Sequence, residues 1–161
     1  MTNIFEYAMQ MEKNGEDYYR QLARQTSNKG LQTILTTLAD EEVKHYNVIE
    51  RMQIKEPHMT ETTILTDAKN IFVQIKESGE SFDFDIEQTK LYKKAQDIEK
   101  QSRDFYTGKA DEVTEEYQKE IFLILADEEN KHYLLLDNII EFVSRPEQWL
   151  ENAEFFHLED Y

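Results

Sequence analysis

Apolar residues recur at alternating steps of three and four along four long stretches of the chain, the spacing of a helix with one buried face. The stretches cover roughly residues 3–26, 31–52, 85–108 and 111–143. Glycine and proline are scarce, at four and two residues, and 32% of the residues are charged, which suits long helices better than strands. The pattern predicts an all-α protein built on a four-helix bundle.

The ends of the bundle helices carry sequence signals of their own. Asn3 followed by Glu6 has the spacing of a capping box and predicts where the first helix begins. Asp85 followed by Gln88 predicts the start of the third bundle helix in a similar way. Gly108 is predicted to end that helix, because glycine often follows the last helical residue.

The second half of the chain repeats the first. Residues 38–46 return as 125–133, at an offset of 87 residues, with eight of nine residues identical. Aligning residues 8–51 with 95–138 gives 15 identities in 44 positions, where chance gives only about 3 at ordinary composition. Each repeat is two helices long, so the bundle is predicted to consist of two repeated helical hairpins.

Two segments lie outside the repeats. Residues 53–84 are predicted to cross over between the hairpins and to contain a short amphipathic helix that ends at Gly79. Residues 144–161 combine acidic residues with several aromatic ones, so we expect this tail to pack on the bundle or on a second subunit. At this length, residues 1–161 are predicted to form a single domain.

Each repeat places a Glu-x-x-His sequence where the helical pattern calls for apolar residues. Residues three apart lie on one face of a helix, so a carboxylate and an imidazole there can reach the same metal ion. With the glutamate that the offset aligns on the preceding helix, six ionisable side chains face inward: Glu12, Glu42, His45, Glu99, Glu129 and His132.

Burying four carboxylates without compensation is unfavourable, because each loses hydration at a cost of several kcal/mol and all four repel one another. Two divalent or trivalent cations remove this problem. Oxygen and imidazole ligands suit iron or manganese, and Glu-x-x-His pairs on bundle helices are the pattern of dinuclear carboxylate sites. The six residues therefore predict a centre of two metal ions, with iron and manganese as the candidates.

The symmetry of the repeat suggests how the ligands divide. Glu42 and Glu129 are predicted to bridge the two ions. One further glutamate and one histidine then complete each ion, as Glu12 with His45 and Glu99 with His132. The opposite pairing of the outer glutamates with the histidines stays open from the sequence.

Two more glutamates lie one position before the predicted bridging residues. A histidine that binds a metal needs an acceptor for its second ring nitrogen. We therefore expect Glu41 to contact His132 and Glu128 to contact His45; the alternative is that both glutamates are exposed charges. Lys44 lies four residues after Asp40, the spacing of a surface ion pair.

Tyr19 and Tyr106 lie two turns beyond Glu12 and Glu99 on the same inward faces. They are the candidate catalytic residues, because a tyrosine there can hydrogen-bond a ligand carboxylate or pass protons and electrons. The alternative is that both are core tyrosines with a satisfied hydroxyl. The small residues Gly15 and Ser102 are expected to leave room beside the centre for a small oxidant.

Composition excludes several classes of protein. A formal charge of −16 disfavours nucleic acid and anionic membranes as partners. The absence of cysteine excludes disulfides, iron–sulfur clusters and a cysteine-bound iron within these residues. No apolar run approaches the roughly 20 residues that span a bilayer, and the first residues do not resemble a signal peptide. These features predict a cytoplasmic protein.

At these residues the chain resembles the ferritin-like superfamily, and within it the rubrerythrin-like proteins. Over residues 3–143 the matching motifs are Glu12 with Tyr19, Glu42 with His45, Glu99 with Tyr106, and Glu129 with His132. The resemblance implies a ferritin-like four-helix bundle with a di-iron site, in a homodimer or larger homo-oligomer. It also implies reduction of hydrogen peroxide or dioxygen in oxidative-stress defence.

The chain departs from typical rubrerythrins at two points. They carry a rubredoxin domain that delivers electrons, whereas this sequence has no cysteine, so an external donor such as a rubredoxin or a reductase is expected. They also have a further glutamate where this chain has Ser102. The remaining ligand set resembles that of bacterioferritin. This makes oxidation, storage or delivery of ferrous iron the alternative function, with a purely structural metal as a third.

Overall fold

In the computed structural model, which describes residues 3–161, the chain is helical and contains no strand. The bundle consists of four long helices: α1 (Ile4–Gln25), α2 (Lys29–Met52), α4 (Glu87–Glu112) and α5 (Glu116–Ser144). The other elements are α3 (Ile64–Ser78) in the crossover, and α6 (Pro146–Glu151) and the 3₁₀ helix η1 (Glu154–Asp160) in the tail. The prediction of an all-α bundle with a short crossover helix is confirmed.

The bundle is assembled from two helical hairpins. Helix α1 packs along α2, and α4 packs along α5, while α1 contacts α4 and α2 contacts α5 across the middle. This is the packing of a ferritin-like bundle. The core has two apolar clusters: one includes Leu35 and Leu38 of α2, and the other includes Met52 of α2 and Phe122 of α5. The six predicted metal ligands belong to neither cluster, whereas Tyr19 lies in the first cluster and Tyr106 in the second.

The helix starts follow the sequence signals closely. The side chain of Asn3 accepts a hydrogen bond from the Phe5 N–H at 2.7 Å, which satisfies one of the free amides of the first turn. Asp85 accepts from the Glu87 N–H at 3.0 Å in the same manner. Asn3 is thus the side-chain cap of α1, whereas the N-cap of α4 is Ile86, which makes no side-chain cap, and Asp85 lies one residue before it.

The predicted end of α4 at Gly108 is wrong, because the helix continues to Glu112. Tyr106 and Ala110 are fully buried on either side of Gly108. Their packing outweighs the roughly 1 kcal/mol by which an interior glycine disfavours a helix. The glycine that does end a helix is Gly79, whose φ of 67° places it in the left-handed region after α3.

The tail packs on the chain's own bundle, which was one of the two predicted alternatives. Trp149 is fully buried and meets the Phe72 ring of α3 edge-on, with ring centres 4.6 Å apart. Phe142 of α5 and Phe155 of η1 complete this aromatic cluster around Trp149. Within residues 3–161, no helix combines the length and the apolar character that crossing a membrane requires.

Candidate metal centre

The six predicted ligand side chains converge in the middle of the bundle. Each bundle helix contributes one glutamate, and α2 and α5 each add a histidine. Their exposed fractions are 3% or less: Glu12, Glu42, His45, Glu99, Glu129 and His132. The helical repeat of Glu-x-x-His therefore brings together residues that are distant in the sequence.

The six side chains form two groups, each with ligand atoms within 4.8 Å of one another. Glu42 and Glu129 belong to both groups. The remaining members divide as Glu12 with His45 in one group and Glu99 with His132 in the other. This is the division that the repeat symmetry suggested. The two buried clusters have the composition and spacing of a dinuclear metal site, while the role of each residue as a ligand stays a prediction.

The imidazole nitrogens point at carboxylates of both hairpins. Nδ1 of His45 lies 2.9 Å from Oε1 of Glu129 and 3.5 Å from Oε2 of Glu12. Nδ1 of His132 lies 3.4 Å from Oε1 of Glu99 and 3.5 Å from Oε1 of Glu42. The two rings are nearly parallel, with centres 5.8 Å apart. Each histidine thus presents one nitrogen to the carboxylates between the helices.

Many of these atoms are close together without being hydrogen-bonded. A buried polar atom without a partner is costly, so a native fold rarely leaves several of them in one place. Here each of the six residues has one such atom: Glu12 Oε2, Glu42 Oε1, His45 Nδ1, Glu99 Oε2, Glu129 Oε1 and His132 Nδ1. Two cations coordinated by these atoms resolve all six deficits, so the residues fit a dinuclear centre.

In the absence of metal, the pKa shifts of these carboxyl groups show that burial disfavours their charged forms and that the groups repel one another. Burial raises the pKa of Glu42 well above its ordinary value, and repulsion from Glu12 and Glu129 raises it further. The pKa of Glu129 is raised for the same reasons, with Glu99 as its strongest repelling neighbour. The metal-free centre therefore holds protons that a cation has to displace.

The pKa values of the two histidines shift in the direction opposite to the one that burial alone would give. Burial alone lowers the pKa of His45, but the charge of Glu12, the hydrogen bond with Glu128 and the nearby carboxylate of Glu129 reverse this, so that the pKa is raised well above the ordinary value. The pKa of His132 is raised in the same way, mainly by Glu99. Excess negative charge thus dominates the centre in the absence of metal.

The predicted partners of the second imidazole nitrogens are confirmed. Nε2 of His45 lies 2.8 Å from Oε1 of Glu128, which is 1% exposed, and Nε2 of His132 lies 3.3 Å from Oε1 of Glu41. Each glutamate reaches the histidine of the other hairpin. When Nε2 donates to such a carboxylate, Nδ1 is left free as the ligand nitrogen.

The sequence did not reveal two residues that hold these glutamates. Lys44 was expected to pair with Asp40, but its Nζ lies 3.1 Å from Glu128 and donates to the Thr60 carbonyl at 3.0 Å. Thr62 of the crossover donates its hydroxyl to Glu41. Both contacts depend on where the crossover lies, and the helical spacing carries no signal for that.

The two tyrosines connect the hairpins in a reciprocal way. Tyr19 of α1 donates its hydroxyl to Oε1 of Glu99 on α4, and Tyr106 of α4 donates to Oε1 of Glu12 on α1. Burial raises the pKa of both tyrosines well above the ordinary value, and the accepting carboxylates raise it further. Both hydroxyls thus retain their protons beside the centre.

The two small residues differ in what surrounds them. A Cβ on Gly15 would lie 3.3 Å from Cδ and Oε2 of Glu42, so this glycine makes room for the Glu42 carboxylate. Ser102 occupies the corresponding place on α4 and is 7% exposed. The space beside Gly15 is therefore occupied by the carboxylate of Glu42. Room for a small oxidant beside the centre stays a prediction.

The family model described as Rubrerythrin matches residues 3–140 of this chain. The matched region contains all four bundle helices up to the last turn of α5 and all six buried site residues. The chain is a member of the rubrerythrin family. Neither the comparison with curated proteins nor that with solved structures gives a significant match. Because these 161 residues contain no cysteine, this rubrerythrin-family chain does not hold the cysteine-bound iron of a rubredoxin within them.

Proposed function

We propose that this rubrerythrin-family protein is a di-iron oxidoreductase that reduces hydrogen peroxide, or dioxygen, with electrons from an external donor. The observation that carries the proposal is the pair of buried Glu/His groups that share Glu42 and Glu129. Unpartnered ligand atoms in both groups point to bound cations as part of the folded state. Family membership supports peroxide reduction as the reaction.

The ligand set supports iron as the metal. Glu12 and His45 would hold one ion, Glu99 and His132 the other, with the two shared glutamates between them. Carboxylate and imidazole ligands also bind manganese, so the identity of the metal as iron is itself part of the proposal. A reduced iron pair would supply the two electrons that cleavage of an O–O bond requires. The protein has to supply the protons and to hold the ligands in place.

Reduction of one peroxide molecule to two water molecules consumes two electrons and two protons. Tyr19 and Tyr106 are placed to deliver those protons, because each hydroxyl donates to a carboxylate of the centre and retains its proton at neutral pH. Glu41 and Glu128 hold the two imidazoles in place through Nε2. In this proposal the tyrosines act as proton donors and these two glutamates as positioning residues.

In this proposal the electrons come from a donor outside these 161 residues. A rubredoxin or a reductase is the class of donor that the proposal requires, because these residues contain no cysteine to hold the iron of a rubredoxin. The homodimer or larger assembly that the family resemblance implies is also part of the proposal. Size-exclusion chromatography with light scattering measures the assembly directly.

Anaerobic single-turnover chemistry tests the function. The protein is loaded with ferrous iron, one equivalent of hydrogen peroxide is added, and oxidation is followed by near-ultraviolet absorption. We expect two ferrous ions to be oxidised for each peroxide consumed, with rapid return to the ferrous state on adding reduced rubredoxin. No oxidation by either hydrogen peroxide or dioxygen, or no re-reduction by any donor, would contradict the proposal, while much faster oxidation by dioxygen would assign dioxygen as the oxidant.

Iron oxidation and storage is the second candidate, and Ser102 is the observation that favours it. This residue lies where typical rubrerythrins have another glutamate, so the centre contains four buried carboxylates and two imidazoles, as in bacterioferritin. Storage requires a closed shell of many subunits. Uptake of iron far beyond two ions per chain in a large assembly would favour storage over peroxide reduction.

A further inference from the structure

A cavity of about 340 Å³ opens between α1 and α2 and reaches the candidate metal centre. Glu12 and Glu42, both nearly inaccessible to solvent, belong to its wall. Towards the surface the wall consists of Lys13 and Glu16 from α1 and Val43 and Asn47 from α2. We call this cavity the α1–α2 groove.

Glu12 and Glu42, the two glutamates at the inner end of the α1–α2 groove, each have one oxygen without a partner. Oε2 of Glu12 and Oε1 of Glu42 have no hydrogen-bond partner among the described residues. Gly15 has no side chain to cover Glu42 from the α1 side, where a Cβ would lie 3.3 Å from its carboxylate. The groove therefore leads from the surface to two buried glutamates of the candidate metal centre.

The internal repeat supplies a comparison, because the second hairpin has a corresponding position for every residue of the groove. Arg103 of α4 corresponds to Glu16, so the charge at this position is reversed. The guanidinium of Arg103 donates to Asn130 of α5 at 2.8 Å and lies 5.8 Å from the ring centre of Tyr133. An arginine thus bridges α4 and α5 where the first hairpin has an open groove.

We propose that divalent cations enter the metal centre through the α1–α2 groove, and that Arg103 closes the corresponding path through the second hairpin. This inference rests on the proposed metal centre and adds a direction of entry to it. Three glutamates and one lysine line the groove, and the chain carries a formal charge of −16, which concentrates cations at its surface. The positive charge of Arg103 repels cations from the other side.

Glu16 is the outermost carboxylate of this route. Its oxygens are held by Arg20 at 2.7 Å and by the largely exposed Lys13 at 3.2 Å. An entering cation displaces the Lys13 ammonium, which is free to swing into solvent, while Arg20 keeps the carboxylate in place. Glu16 thus gives the cation a first oxygen ligand on its way to Glu12 and Glu42.

The rate of cobalt(II) binding to the metal-free full-length protein tests the route, since its visible absorption reports arrival at the centre. Asn47→Trp fills the groove from an exposed position, and we expect it to slow binding about tenfold or more. The matched control is Leu134→Trp, which adds the same side chain at the corresponding position of the second hairpin. The control should remain within about twofold of the unchanged protein.

Two further variants test the charge argument at positions that do not touch the buried clusters. Glu16→Arg gives the first hairpin the residue type that the second hairpin has at the corresponding position, Arg103. It should slow cobalt(II) binding about tenfold. Adding Arg103→Ala to Asn47→Trp should restore fast binding by opening the second path. In every variant the final amount of bound cobalt and the thermal stabilisation by cobalt should match those of the unchanged protein.

The outcomes separate the route from the centre itself. Equal slowing by Asn47→Trp and Leu134→Trp, or no slowing by Asn47→Trp and Glu16→Arg while cobalt still fills the centre, overturns the route alone. Failure of the unchanged protein to bind cobalt(II) overturns the metal centre and the route together. Slow binding in the two groove variants with rescue by Arg103→Ala supports the route.

Discussion

Nδ1 of His45 lies 2.9 Å from Oε1 of Glu129, and neither atom takes part in a hydrogen bond. The two residues come from different hairpins, and both side chains are shielded from solvent. A polar contact this short without hydrogen-bond geometry leaves both buried atoms without a hydrogen-bond partner. A cation between the hairpins that takes both atoms as ligands removes that cost, and this relationship underlies the predictions below.

Glu42→Gln is expected to affect the metal-free and the metal-loaded protein in opposite directions. Without metal it removes a carboxyl group that burial and repulsion from Glu12 and Glu129 force to take up a proton on folding, so unfolding should become more costly by on the order of 1 to 3 kcal/mol. With metal it removes a shared ligand, so stabilisation by added cation should fall. Thermal unfolding with and without metal measures both effects. The exposed Glu50→Gln on α2 is the control, and a loss of stability in both states would contradict the prediction.

Above a pH of about 4.3 the metal-free protein should lose stability as the pH rises, because carboxylates with lowered pKa values, such as Glu99, already contribute fully there. Metal binding should reverse that trend. The folded-state pKa values of Glu42 and Glu129 are raised, so the folded protein binds protons more tightly at these two groups than the unfolded chain does. Their contribution to the free energy of unfolding is fully present below the ordinary glutamate pKa of about 4.3 and is lost as the pH rises through the raised values. A cation displaces these protons, so its affinity should increase with pH, by about tenfold per pH unit for each proton released.

Calorimetric titration with zinc(II) in buffers of different ionisation enthalpy counts the protons released. We expect net proton release on binding, since the raised histidine pKa values add further protons to the metal-free centre. Binding without proton release, or affinity that falls with rising pH, would show that the carboxylates are already ionised and paired otherwise.

Glu128→Gln should weaken metal binding without removing a ligand. Its carboxylate accepts from Nε2 of His45 at 2.8 Å and so orients the ring, and loss of such a partner typically costs 10- to 100-fold in affinity, or roughly 1.4 to 2.7 kcal/mol. Glu41→Gln should cost less, because its contact with His132 is longer, at 3.3 Å. Competition with a chromophoric chelator measures the affinities. Asp127→Asn, at a largely exposed position beside Glu128, is the control.

Tyr19→Phe and Tyr106→Phe should each destabilise the protein and slow peroxide reduction. Each change removes a hydroxyl that donates to a buried carboxylate, worth roughly 1.5 to 3 kcal/mol for a charged acceptor. If the tyrosines supply protons, the rate of peroxide consumption should also lose its solvent deuterium isotope effect in the double variant. Destabilisation with an unchanged rate and isotope effect would assign them a structural role only.

Gly15→Ala and Gly108→Ala form a matched pair of helix substitutions. A Cβ at Gly108 meets nothing within 4 Å, so alanine there should stabilise α4 by up to about 1 kcal/mol. At Gly15 the same methyl group crowds Glu42 at 3.3 Å, so the gain should be smaller and metal affinity should drop. Denaturant unfolding and metal titration distinguish the two. Equal effects of both substitutions would mean that Glu42 does not use the space above Gly15.

The sequence predicted most of the candidate site because the site is built on helices. A spacing of three and four fixes which face of each helix is buried, so Glu42 and His45 could be placed inside from the pattern alone. The internal repeat then aligned Glu12 with Glu99 and indicated which glutamates are shared. Cross-hairpin contacts such as Glu128 with His45 followed from the chemistry of histidine ligands.

Features that depend on tertiary packing could not be predicted in this way. Lys44 reaches Glu128 and the Thr60 carbonyl because of the path of the crossover, for which the helical spacing carries no information. The continuation of α4 past Gly108 reflects the burial of its neighbours, which overrides local propensity. The opening between α1 and α2 likewise became visible only when Glu16 could be compared with Arg103 in three dimensions.

Equilibrium binding of ferrous iron under strictly anaerobic conditions, followed by metal analysis of the purified protein, tests the central claim most directly. Two buried groups that share Glu42 and Glu129 predict saturation at about two ions per chain, with loss of tight binding in Glu42→Gln. Binding well below two ions per chain, or saturation that Glu42→Gln leaves unchanged, would contradict the account of these six residues as one dinuclear centre.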